Sequence, residues 1–69
     1  MKPYEEIGKT MKELRLSRNL TQAELAKELG ISAATLQRWE KGKIKRAKSL
    51  YIVNFADYFN VTLYYILGV

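Results

Sequence analysis

Residues 22–41 read QAELAKELGISAATLQRWEK, and this stretch decides the fold. Leu25, Ala26 and Leu29 recur at helical spacing, in a helix of only about two turns. Thr21 and Glu24 are spaced as a capping box at its start: the Thr21 hydroxyl accepts from the Glu24 amide, and the Glu24 carboxylate reaches back to the Thr21 N–H. Gly30 supplies the left-handed conformation that closes a helix. Ser32 is an N-cap for a second helix with Leu36 and Trp39 as its apolar positions, and Gly42 ends it. Two short helices that cross steeply over so short a link need a small residue where they touch and a glycine in the turn. Ala26 and Gly30 stand at those places. Leu25, Leu29, Ile31, Leu36 and Trp39 then face a shared core, leaving Ala33, Ala34, Gln37 and Arg38 on the outer face of the second helix. A projecting helix with a polar outer face is what a DNA major groove accepts.

Upstream, Ile7, Met11 and Leu14 predict a helix from about Tyr4 to Arg18. Downstream, Ile52, Phe55, Ala56 and Phe59 predict another, closed near Asn60, which tolerates the left-handed conformation. Thr62 caps a last short turn, Leu63 to Leu67, ahead of Gly68 and Val69. With no strand pattern and Pro3 as the one proline, the expected architecture is all-α, five helices with short connections. No internal repeat or low-complexity linker interrupts it. At 69 residues the expectation is a single domain over 1–69, near the lower limit at which a core alone holds a fold.

Hydrophobic residues at 48% and charged residues at 28% are ordinary globular composition. The absence of cysteine and histidine excludes disulfides, thiolate zinc sites, Cys or His nucleophiles and imidazole bases. Asp57 and the glutamates form no paired-carboxylate or metal-ligand spacing, so no enzyme activity, cofactor, metal or small-molecule ligand is expected. No apolar run reaches membrane-spanning length, and MKPYEEIGKT carries charges where a secretory signal needs its apolar stretch. A cytoplasmic protein is expected. Of the twelve basic residues behind the net charge of +5, half are Arg38, Lys41, Lys43, Lys45, Arg46 and Lys48, opposed in that segment only by Glu40. Such a cluster suits a polyanion, although a charge run alone is equally consistent with a solvated surface.

The motifs TQAELAKELGIS, WEKG and NVTLYYILG, in that order and spanning nearly the whole chain from Ile7 to Gly68, resemble the helix-turn-helix family of the lambdoid phage repressors and Cro proteins. The resemblance implies a compact five-helix domain with its helix-turn-helix at about 22–41, binding double-stranded DNA at a palindromic operator. It implies that Gln22 grips a phosphate and props a side chain of the reading helix, and that Thr35 contacts a phosphate. It also implies a structural ion pair between Arg15 and Glu40. Ala33 and Ala34 stand where relatives read bases through glutamine or serine; here their methyls are left to touch thymine methyls. Gln37 and Arg38 are then the long polar side chains facing the bases. Arg38 can pair with guanine O6 and N7, the alternative being a phosphate contact. The connection after the reading helix is about one residue longer than the family's common pattern. The resemblance lays it along the DNA backbone, with Lys43, Lys45, Arg46 and Lys48 as phosphate ligands.

Tyr51, Tyr58, Tyr64 and Tyr65 exceed what the core pattern requires, and Leu50 and Val53 make the fourth helix apolar over most of its circumference. Dimerisation through Tyr58, Tyr64 or Tyr65 with Leu50 as neighbour is the favoured reading, whether the dimer is stable alone or only on DNA; packing against the first helix is the other. Three functions compete. The leading one is a dimeric repressor of a phage or mobile element. A second is an antitoxin-type module whose helix 4 to 5 surface binds a protein partner while the domain autoregulates its operon. The weakest is an RNA binder, since no exposed aromatic platform is expected beside the basic cluster.

Overall fold

The computed structural model describes residues 1–68; Val69, the last residue of the expected domain, lies outside them. Five helices follow one another: α1 (Tyr4–Ser17), α2 (Gln22–Leu29), α3 (Ala33–Glu40), α4 (Ser49–Phe59) and α5 (Leu63–Leu67). There is no strand among the described residues, and no described helix is long and apolar enough to cross a membrane.

Local chemistry sets most helix ends. The Thr21 hydroxyl accepts from the Glu24 N–H at 3.1 Å while Glu24 Oε1 accepts from the Thr21 N–H at 2.8 Å, satisfying two otherwise orphaned donors. Ser32 and Thr62 cap α3 and α5 in the single-sided form, accepting from the N–H groups of Thr35 and Tyr65 at 3.0 Å each. Gly30 and Asn60 close α2 and α4 in the left-handed region, with φ of 71° and 56°. α1 stops one residue before the predicted end. The Arg18 N–H turns back to the Arg15 carbonyl at 3.2 Å, and Asn19, at φ 56°, reverses the chain.

α1 packs against α3 and α5, and α2 against α3 and α4. The core that results holds Ile7 and Met11 from α1, Leu25 and Ala26 from α2, Leu36 and Trp39 from α3, Phe55 and Phe59 from α4 and Ile66 from α5, all buried. Each large apolar side chain so buried contributes about 1.5–3 kcal/mol. Leu29 and Ile31, expected inside, are only half-buried and pack at the rim of the core.

The approach of α1 to the end of α3 depends on Gly8. A Cβ there would lie 2.8 Å from both the Glu40 carbonyl and the Gly42 N, so only a residue without a side chain lets these backbones touch. Gly8 carried no signal in the sequence, because it interrupts a helix without ending it. Just ahead of α1, the Lys2 N–H donates to the Leu67 carbonyl and Lys2 Nζ to the Tyr65 carbonyl, both at 2.7 Å. The first residues thereby close over the C-terminal end of α5.

Candidate nucleic-acid interface

Ser32 caps α3 at one end, and at the other Glu40 holds it in a buried polar network. Glu40 Oε2 accepts from Arg15 Nε at 2.7 Å, and Oε1 accepts from Arg15 Nη2 at 3.0 Å and Gln22 Nε2 at 3.1 Å. Arg15 Nη1 donates to the Leu20 carbonyl at 2.8 Å. The two ion-pair side chains are only 9% and 4% exposed, so this is a fork-to-fork pair inside the protein. The hydrogen bonds that Arg15 donates to Glu40 raise the Arg15 pKa above its ordinary value, with burial opposing and charge attraction adding. The network joins α1, α2 and α3 at one point. Gln22, at the first position of α2, thus props a side chain of α3, and that side chain is Glu40 at the helix's end.

With its base anchored, α3 presents Ala33, Ala34, Gln37 and Arg38 to solvent, as their spacing predicts. Thr35 is half-buried at the edge of that face. Its Oγ1 accepts from the Ser32 hydroxyl at 2.9 Å, which leaves the Thr35 O–H itself free to donate outward.

The connection from α3 to α4 is folded rather than splayed, through a residue that no sequence pattern marks. Ile44 is buried in the core, Ala47 is half-buried against it, and the Ala47 N–H donates to the Ile44 carbonyl at 2.9 Å. With these two turned inward, Lys43, Lys45, Arg46 and Lys48 are exposed. The loop does not send all four the same way. Lys43, Arg46 and Lys48 line a groove of about 210 Å³ together with Thr35, Arg38, Trp39 and Tyr51. Lys45, grouped with them in the sequence, borders a separate groove of about 260 Å³ with Met1, Tyr4, Ile44, Val53 and Leu63. The turn held by Ile44 and Ala47 separates it from its neighbours.

Tyr51 corrects a second expectation. It is 38% exposed and lines the groove that Arg38 shares with three other cations, so an exposed aromatic ring does stand beside the basic cluster. At position three of α4 it falls outside the core stripe, and only the path of the 43–48 loop brings the cations to it.

The remaining tyrosines divide. Tyr58 is half-buried, its edge on Phe59 with centroids 5.0 Å apart and the Arg18 guanidinium 5.4 Å above its ring. It packs on Phe59 beneath Arg18, the residue that follows α1, and stands less open than Tyr64 or Tyr65. Tyr64 and Leu50 are 68% and 65% exposed. Tyr65 borders a shelf with Tyr64, Glu6, Thr10 and Lys2, whose Nζ lies 5.5 Å from the Tyr65 ring.

A family model described as helix-turn-helix matches residues 11–66. No curated protein matches the chain. Crystal structures of CoII HppE, in complex with substrate and with Tris buffer, superpose on it with a TM-score of 0.84 in each case at 18% identity. They cover 94% and 96% of this chain, which spans only 36% and 37% of theirs. At that identity the likeness is one of fold.

Proposed function

The chain belongs to the helix-turn-helix family of DNA-binding regulators, the type of the lambda repressor and Cro, and on that premise we propose that it is a repressor of a phage or mobile-element operon. In this reading it binds a palindromic operator in the cytoplasm as a homodimer, with one α3 in the major groove of each half-site. One observation carries it: the exposed face of α3 is continuous, through Arg38 and Thr35, with a groove whose charged members are all positive. A duplex seated on α3 brings a phosphate strand along that groove.

The roles follow from position. Arg38 and Gln37 reach base edges, and Ala33 and Ala34 accept thymine methyls. Thr35, Lys43, Arg46 and Lys48 hold phosphates along the groove, and Gln22, with one amide hydrogen given to Glu40, has its remaining polar atoms for another. Lys45 has a lesser part. The dimer contact narrows to Tyr64, Tyr65 and Leu50, the exposed members of the original set. No catalytic role is assigned, and the domain is read as the whole of 1–69.

Selection of bound duplexes from a random DNA pool tests the proposal. A recovered palindrome, with half-site centres one helical turn or a multiple of it apart, supports it. Sequences of no symmetry, or no enrichment, overturn the operator reading. The groove bordered by Met1, Tyr4, Val53 and Leu63 favours one alternative, an antitoxin-type domain that holds a protein partner there and autoregulates its operon. A stoichiometric complex with the product of an adjacent gene distinguishes it.

A further inference from the structure

Tyr51 is the one aromatic side chain in the basic groove that the core does not bury. Its ring leans on Trp39, centroids 6.3 Å apart at 48°, and Trp39 is itself buried and follows Arg38 directly in α3. The groove around the ring is lined by Arg38, Lys43, Arg46 and Lys48, with the Thr35 hydroxyl on its α3 side and no acidic group. Tyr58 and Tyr65, by contrast, each have a cation stacked on them from within the chain.

We infer that Tyr51 is a DNA-backbone ligand: its phenol O–H donates to a phosphate oxygen of the strand that lies along Lys43, Arg46 and Lys48. The inference rests on the DNA-binding reading and adds a residue to it. Four cations and no anion select a polyanion as the occupant, and hydroxyl groups, tyrosine's included, supply a regular share of the hydrogen bonds to phosphate. The Trp39 contact gives the donor a second task. Because the Tyr51 ring rests on the residue next to Arg38, a phosphate held by Tyr51 is held at a set distance from the side chain that reaches the bases. Tyr51 thereby positions the strand relative to α3 as well as binding it. The other use of an exposed ring among cations is as a stacking platform for an unpaired base. It is less suited here, because the ring already has a tilted aromatic neighbour in Trp39, centroids 6.3 Å apart.

Binding of Tyr51→Phe to a mixed-sequence duplex and to its separated single strand tests the inference, with Lys48→Ala for comparison. The phenylalanine keeps the ring and its Trp39 contact, so the melting temperature should stay at the wild-type value. Duplex affinity should fall roughly ten- to a hundredfold for each subunit bound, the value of a hydrogen bond to a charged group. The slope of log affinity against log salt should not change, since a neutral donor releases no counterion, whereas Lys48→Ala should lower it by about 0.9 for each subunit bound. Duplex binding by Tyr51→Phe equal to wild type overturns the inference and leaves the DNA-binding reading standing. Single-strand binding tighter than duplex binding, kept in Tyr51→Phe and lost in Tyr51→Ala, identifies a stacking platform and also overturns it. A wild type that binds no duplex overturns the parent reading and this one together.

Discussion

Gln22 Nε2 donates to Glu40 Oε1 at 3.1 Å, tying the first residue of α2 to the last residue of α3. The same oxygen accepts from Arg15, so one carboxylate sets the angle between the two helices of the motif and anchors both to α1. Such a network is worth most when every member is satisfied.

Removing one partner from it should therefore cost more than replacing both. Glu40→Ala strands a buried guanidinium and should lower stability by about 3–5 kcal/mol. The double variant Arg15→Met with Glu40→Met removes both charges while keeping volume, and should fall much closer to wild type. Urea unfolding of the two measures this. Equal and small losses would show that the pair carries little.

Two glycines should respond to alanine in different ways. At Gly8 the added Cβ meets backbone atoms of Glu40 and Gly42 that cannot move aside, and the loss should reach about 3 kcal/mol, at the upper end for overpacking. At Gly30 nothing stands within 4 Å of the added Cβ, and the only cost is a φ of 71°, about 1 kcal/mol. Thermal melts of the two variants give the comparison.

On DNA, a dimer neutralising about six to ten phosphates should lose about a thousandfold in affinity between about 50 and 200 mM salt. Lys48→Ala should weaken all duplexes alike. Lys45→Ala, on the far side of the Ile44 turn, should do so less. Arg38→Ala should relax preference at one base pair per half-site, by about 1–3 kcal/mol. Uniform weakening by Arg38→Ala would make it a phosphate ligand instead.

Dimerisation is checked by sedimentation of wild type and Tyr64→Asp, with and without an operator duplex. Wild type should pair at least on DNA, through an interface of modest area, and the aspartate, placed on the most exposed tyrosine, should prevent pairing. A variant that still pairs tightly would put the contact elsewhere.

Stability at acid pH should report the α2 capping box. The Thr21 N–H first, and the Thr21 hydroxyl second, hold the Glu24 carboxyl below the ordinary glutamate range. A group whose folded pKa is lowered stabilises the protein above its unfolded pKa, about 4.3, and loses that contribution as pH falls through the lower folded value. Glu24→Gln should thus be slightly less stable than wild type at neutral pH, and the difference should vanish in acid. A constant difference across that range would remove the carboxylate from the account.

The sequence by itself determined the number and order of the helices and most of their ends, because Thr21, Ser32, Thr62, Gly30 and Asn60 act on backbone groups within a few residues of themselves. It also determined the exposed face of α3, since helical periodicity separates Leu36 and Trp39 from Gln37 and Arg38 without reference to the rest of the chain. The three ordered motifs carried the family. Tertiary structure decided the rest, and the undecided residues share a cause. A loop has no periodicity, so nothing in KIKRAK announced that Ile44 would be buried, that Lys43, Arg46 and Lys48 would turn toward Arg38, or that Lys45 would turn away. The tyrosines of α4 and α5 are alike in the sequence; Tyr58 is covered because Arg18 lies over it, and Tyr51 meets the groove because Trp39 stands behind it. Gly8 matters only through Trp39, Glu40 and Gly42, more than thirty residues on. Contacts between segments so far apart depend on where packing of the whole core brings them, and no local pattern records that.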